Sequence, residues 1–257
     1  MKKKILSICL VAIVAVMAIA GASLAYFTDT DENENVFTMG NVKIKLIEQQ
    51  RVTDDNNNTS LAGFENGTVL VPLAGSLDEK DGYGMPIAEG FGDKIVTVKN
   101  TGTNDVYVRV LVAVPAALDN GVLHLCNGET FTADGTFNPS ADSANADWKN
   151  WTEEKILTDA DVNGIKCNIY AYTYGEVLAS GEETASACIS GFWLDAQVGN
   201  RLDEQGGVVY TIGGNDIDYD FTNGIVIPVF AQGIQAEGFE SAQEAYTEAE
   251  FSTNPWA

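Results

Sequence analysis

KIVTVKNTGTNDVYVRVLVAV, residues 94–114, decides the fold class. Ile95, Val96, Thr97 and Val98 are all β-branched, and such side chains favour extended backbone because a helix restricts their χ1 freedom. Asn100, Thr101, Gly102, Thr103 and Asn104 have turn chemistry, since asparagine side chains bond nearby backbone and glycine reaches conformations closed to other residues. Valine then takes every second position from Val106 to Val114, with Tyr107 and Arg109 between. That period of two specifies a strand with one apolar face; on a helix the same valines would scatter around the surface. The stretch reads as strand, turn, strand, with its valine face on a core.

The flanking sequence extends the pattern. Val42, Ile44 and Leu46 alternate with Lys43 and Lys45, which predicts a half-buried strand. Residues 51–60 form an Asp/Asn-rich loop, and residues 61–92, rich in glycine and carrying Pro72 and Pro86, read as turns and short extended pieces. Residues 127–150 are poor in apolar side chains and read as a surface insertion. Residues 165–174 form a strand with Cys167, Ile169 and Ala171 facing one way and Tyr170, Tyr172 and Tyr174 the other. Residues 177–195 follow through a turn at Ser180 and Gly181. Residues 208–212 and 225–231 are further strands, and Pro228 puts the last at an edge or a bulge because proline cannot donate to a ladder. One helix closes the chain: Ser241 and Glu244 have capping-box spacing, and Ala242, Ala245, Tyr246 and Ala249 give an apolar stripe. The predicted fold is all-β, a two-sheet jelly-roll-like sandwich with long loop insertions and one short C-terminal helix.

The N-terminus has a different design. Lys2, Lys3 and Lys4 precede an apolar run over residues 5–20, and small residues follow at Gly21, Ala22, Ser23 and Ala25. This is the order of a secretory signal peptide, with Ser23 and Ala25 as the small-x-small cleavage site and Tyr26 as the first mature residue. A helix over that run is about 24 Å long, short of a hydrocarbon core of roughly 30 Å. No basic cluster follows to stop transfer. Cys9 lies inside the apolar run, which excludes a lipoprotein cysteine.

Charge limits the partners. The formal net charge is −23 at pH 7, and loss of the three leader lysines takes it to −26. So negative a surface argues against nucleic acid and against anionic membranes, leaving membrane contact to the leader before cleavage. Copies of such a chain repel one another until salt or low pH screens them. Of the cysteines, Cys126, Cys167 and Cys188 remain after cleavage, an odd number with no CxxC spacing, so neither a disulfide framework nor a zinc site is expected.

Residues that could carry chemistry are few. His124 is the single histidine, which excludes HExxH and any site needing two imidazoles. No serine stands in a GxSxG elbow. A dyad of His124 with Cys126, Cys167 or Cys188 is possible in principle, but a histidine satisfied within a strand is the expected state. Asp216, Asp218 and Asp220 would share one face of an extended segment, as Ca²⁺ binding requires, yet the row lacks an EF-hand's glycine and distal glutamate and reads as a solvated face, as do Asp29, Asp31 and Glu32. The Tyr170, Tyr172, Tyr174 row could stack on sugars or on a partner strand. No catalytic, cofactor-binding or metal-ligating residue is expected, and the chain is not expected to be an enzyme.

Four stretches resemble the TasA/camelysin family of Gram-positive secreted proteins, exported through a SipW-type signal peptidase. They are AYFTDTD with VFTMGNVKIKL (within 25–46), VTVKNTG with VYVRV (within 96–110), YxYxYxxVLxxGExT (170–184) and AQGIQAEGF (231–239). The insertion at 127–150 matches nothing in that pattern. The resemblance implies a secreted jelly-roll protein of the extracellular matrix or cell surface that polymerises with itself, in possible company with other matrix or cell-wall components. It also implies assembly by donor-strand complementation, in which the mature N-terminal segment completes a neighbour's sheet. Residues 1–25 are then the signal peptide, 26–40 the donor-like segment and 41–257 one β-sandwich domain. Tyr26, Phe27, Val36 and Phe37 are the side chains expected to fill a neighbour's pockets. Some family members carry a metalloprotease label, which the lone His124 does not support. The competing readings are a secreted metallopeptidase and a monomeric adhesin or carbohydrate-binding protein.

Overall fold

The computed structural model describes residues 28–31, 37–38, 42–53, 59–64, 74–75, 91–126, 130–131, 137–138, 150–195, 197–249 and 251–257. In chain order the strands are β1 (Thr28–Asp31), β2 (Phe37–Thr38), β3 (Ile44–Thr53), β4 (Thr59–Gly63), β5 (Ala74–Gly75), β6 (Phe91–Asn100), β7 (Val106–Pro115), β8 (Leu123–Cys126), β9 (Thr130–Phe131) and β10 (Phe137–Asn138). They continue with β11 (Trp151–Val162), β12 (Ile165–Tyr174), β13 (Ile189–Asp195), β14 (Val198–Leu202), β15 (Val208–Ile212), β16 (Asn215–Asp216) and β17 (Val229–Gln235), before helix α1 (Ala242–Glu248). Two six-stranded sheets face each other. The first runs β11-β12-β7-β17-β1-β2; the second runs β4-β3-β6-β13-β5, with β8 also paired to β13. A three-stranded sheet, β14-β15-β16, and the β9–β10 pair complete the set. The expected all-β sandwich with one short C-terminal helix is present.

The core lies between the two large sheets. Val106, Val108, Val110, Val112 and Val114 of β7 meet Ile44 and Leu46 of β3, Val96 and Val98 of β6, and Ile189 and Phe192 of β13. Burying each valine contributes about 1.5–3 kcal/mol. β6 and β7 are consecutive, yet they belong to opposite sheets, so the 101–105 turn is a crossover and not a hairpin. Asn100 builds it. Fully buried, its Nδ2 donates to Asn104 O at 2.7 Å and Leu178 O at 2.9 Å, and its Oδ1 accepts from Gly102 N at 2.9 Å.

The second face of β7, which carries Tyr107 and Arg109, is packed as well. Every residue of β7 is buried. Leu111 and Ala113 pack with Cys167, Ile169, Ala171 and Phe230, and Tyr107 packs with Ile234, Ala242, Ala245 and Tyr246. The C-terminal segment therefore forms a third layer on the outer face of the first sheet. Ser241 caps α1 as expected, its hydroxyl accepting from Glu244 N, but Glu244 reaches back to the N–H of Glu240, one residue before the cap.

Three further readings change. The strand placed at 225–231 begins after Pro228 and runs to Gln235, because the proline closes the segment before it while its carbonyl accepts from Ala113 N at 2.9 Å. The 177–195 stretch is strand only from Ile189; before that it threads beside β6 and β7, bonding Asn100, Val98, Val96 and Val106 through its backbone. β11, twelve residues long, was not legible at all, because most of its side chains are charged or polar and face solvent.

The tyrosine row is turned inward. Tyr172 and Tyr174 are 2% and 3% exposed and belong to the inter-sheet core, so they offer no stacking platform. Tyr170 is half-buried and donates to Asp119 at 2.7 Å. The same carboxylate accepts from Lys155 Nζ at 2.8 Å and Asn168 Nδ2 at 2.5 Å, which ties the turn after β7 to the β11–β12 hairpin. Those contacts raise the Lys155 pKa, first through the hydrogen bond to Asp119.

Candidate functional site

The resemblance directs attention to the N-terminal segment and to the sheet edge that could receive it. β17 pairs with β7 along its whole length, from Val229↔Val112 to Gln235↔Val106. On its other side, among the described residues, Thr28, Asp29, Thr30 and Asp31 pair antiparallel with Ile234, Gly233, Gln232 and Ala231. β2 continues outward, with Phe37 opposite Thr30 and Thr38 opposite Asp29. Of the residues expected to drive assembly, Phe37 is placed by its backbone alone. Tyr26, Phe27 and Val36, and the cleavage residues Ser23 and Ala25, lie outside the described residues.

β17 is packed on both faces. Inward, a Cβ at Gly233 would meet Ile44 Cγ2 at 3.0 Å and Val42 Cγ1 at 3.5 Å, so a side chain here would push Ile44 of β3 away from β17. Outward, buried Gln232 accepts from Arg109 Nε at 2.6 Å and donates to Ser252 O at 3.0 Å. The Arg109 guanidinium lies 4.5 Å from the Tyr246 ring centre and 5.5 Å from that of Phe251, and burial lowers its pKa. Tyr246 OH donates to Tyr107 O at 3.0 Å and Gln232 O at 2.7 Å. Side chains therefore hold β17 from both faces, and its lateral backbone groups pair with β7 on one side and with β1 on the other.

The opposite edge of the same sheet is guarded. β11 carries register shifts between Lys155 and Leu157 and between Leu157 and Ala160, and Asp159 has φ 52°. Exposed Glu153, Glu154, Lys155, Asp159 and Asp161 line it. Bulges and charges of this kind discourage strand addition.

His124 sits on β8. Its Nε2 is 3.0 Å from Asp195 Oδ2, and its ring stacks on Trp193 with centroids 5.2 Å apart. The Asp195 pKa is lowered, first by the Gln197 N–H and then by His124. Cys167 and Cys188 are buried free thiols; burial pushes Cys167 up to about 11 and Cys188 up as well, so both stay protonated and poor nucleophiles at neutral pH. Among the described residues, no group of three or more His, Cys, Asp or Glu side chains could hold a metal ion. The Asp216–Asp218–Asp220 row is divided: Asp216 pairs with Arg201 at 2.7 Å, Asp220 accepts from Thr222 N at 2.9 Å, and Asp218 points to solvent. The Asp216 contact depends on Arg201 being brought near by folding, whereas the Asp220 contact is a local cap two residues along the chain.

A family model described as camelysin metallo-endopeptidase matches residues 1–59. That span contains the 25–46 stretch that carries the N-terminal resemblance, and it is consistent with the TasA/camelysin family. No curated protein and no solved structure gives a significant match. Among the described residues, no helix is long and apolar enough to cross a membrane.

Proposed function

We propose that this chain is a secreted structural subunit of matrix or cell-surface fibres, and that it polymerises when the N-terminal segment of one copy adds to the β17 edge of another. The observation that carries this reading is the four-residue β1–β17 pairing beside a strand whose two faces are already packed. A contact made of backbone hydrogen bonds has the same geometry whether the strand comes from its own chain or from a neighbour. Guarding of the β11 edge leaves β17 as the receptive side of that sheet.

Truncation tests it. A chain starting at Gly40 keeps β3 and the whole inter-sheet core, so it is expected to fold and to remain monomeric under conditions where the chain starting at Tyr26 forms fibres. Electron microscopy and light scattering read the outcome, and fibres of normal length from the shortened chain would rule out strand addition by this segment.

The description of the matched family supports a second reading, a secreted metallopeptidase. Its one imidazole candidate is His124, which is engaged with Asp195 and Trp193. His124→Ala is expected to leave any casein-degrading activity of the purified protein unchanged. Loss of that activity in a folded variant would favour the peptidase reading over the structural one.

A further inference from the structure

Away from β17, the small β14-β15-β16 sheet and the segment that follows it enclose a cleft of about 520 Å³. That lies within the range of roughly 300–1,000 Å³ common for small-ligand pockets. Three rings form one wall. Phe221 is the hub, with its centroid 4.5 Å from that of Tyr210 and 5.0 Å from that of Tyr219. Val208 forms an aliphatic rim and is 58% exposed; its cross-strand partner Leu202 is 68% exposed. Asp218 and Asp220 supply the charge.

The polar chemistry of this cleft is one-sided. Its lining holds two carboxylates, two phenols and a threonine, with no amide, imidazole or basic side chain. The Tyr219 hydroxyl is committed to Gly224 O at 3.3 Å. Asp220 uses one oxygen to cap the turn at Phe221–Asn223. Arg201, the nearby cation, is held outside the cleft by a bidentate contact with Asp216. Asp218 is left with an uncommitted carboxylate beside the rings.

We infer that this cleft binds an alkylammonium group carried on an apolar stem, with Asp218 and Asp220 receiving its N–H donors, the Tyr219 and Phe221 rings facing its charge, and Val208 covering the stem. A sugar needs donors as well as acceptors around its hydroxyls, and the lining offers few donors. A hard divalent cation such as Ca²⁺ or Mg²⁺ needs six or more oxygens and keeps its water, which aromatic and valine walls do not favour. A weakly hydrated organic cation suits both kinds of wall: ring faces attract it and carboxylates accept charge-assisted hydrogen bonds from it. The net charge of −23 adds a long-range field that concentrates cations at the surface.

The test is an NMR titration of the isotope-labelled secreted protein with 1,5-diaminopentane and, separately, with Nα-acetyl-lysine methylamide, at constant ionic strength. Saturable shifts confined to Tyr210, Tyr219 and Phe221 are expected with the diamine. Equal binding of the lysine derivative identifies a protein side chain as an admissible source, and binding of the diamine alone identifies a free polyamine. Asp218→Asn, an exposed change that should leave the rest of the spectrum in place, is expected to weaken binding roughly 1.5–5-fold, the size of an exposed ion pair. Phe221→Leu is expected to weaken it roughly 2–5-fold, the size of an exposed cation–π contact. Linear shifts spread over the acidic surface, an unchanged isotherm in Asp218→Asn, the same shifts from added NaCl, or preferential binding of N,N′-diacetylchitobiose would each overturn the assignment.

Discussion

Trp151→Ala is expected to destabilise the protein by about 3–5 kcal/mol, the cost of emptying a buried aromatic site. Trp151 opens β11 and is 8% exposed. Its ring lies 5.0 Å from that of Tyr174, its partner across the strands, and its Nε1 donates to both the carbonyl and the hydroxyl of Ser186 at 3.1 Å. One side chain therefore joins the β11–β12 hairpin to the 175–188 loop, and that loop is bonded along β6. Trp151→Phe separates the two contributions. It keeps ring packing and leaves Ser186 without its donor, at a cost of about 1–3 kcal/mol. Urea unfolding followed by circular dichroism reads both variants. A loss below about 1 kcal/mol in Trp151→Ala would show that the loop and hairpin are held together by other contacts.

Arg109→Ala is expected to cost about 2–4 kcal/mol, because it leaves the Gln232 amide oxygen buried without a donor and removes a desolvated cation from two rings. Arg109 is 8% exposed and Gln232 1%. Arg109→Lys should recover little, since an ammonium cannot both stack on Tyr246 and Phe251 and donate in the guanidinium's plane. The double change Arg109→Met with Gln232→Leu should recover most of the loss, because it removes the Arg109–Gln232 pair together and leaves only the carbonyl of exposed Ser252 to take water in place of the Gln232 donor. Denaturation midpoints give the energies, and protease cleavage beyond Gln235 reports whether the third layer has come away. Equal stability of the Arg109→Ala variant and the double variant would mean that the hydrogen bond to Gln232 contributes nothing.

Much of the architecture was legible along the chain. The valine alternation at 106–114 locates β7, the alternation at 42–46 locates the start of β3, and residues 165–174 and 208–212 coincide with β12 and β15. The division of β12 into a Cys167–Ile169–Ala171 face and a tyrosine face was also correct, because pleating alone sets it. The candidate site was half legible. Resemblance pointed to the N-terminal segment, whereas the β1–β17 pairing required the sheet order, and Pro228, read as an edge or a bulge within a 225–231 strand, instead precedes a strand that lies between β7 and β1. β11 escaped because an edge strand with one solvated side carries charged residues that look like a loop's.

The sequence by itself determined the strand periods, the acidic charge, the leader-like N-terminus, the turn at Asn100 to Asn104 and the capped C-terminal helix, since each depends on residues close together in the chain. Only the tertiary structure decided that β6 and β7 lie in opposite sheets, that the tyrosine face points into the core, that the C-terminal segment covers Arg109, and that β17 lies between β7 and β1. The reason is physical. A period of two says which residues share a face, but every strand offers the same backbone donors and acceptors, so partners are chosen by packing between residues far apart. Asn100 shows the difference: its side chain marks a turn from local chemistry alone, yet the loop carbonyl of Leu178 that fixes where the turn leads lies 78 residues away.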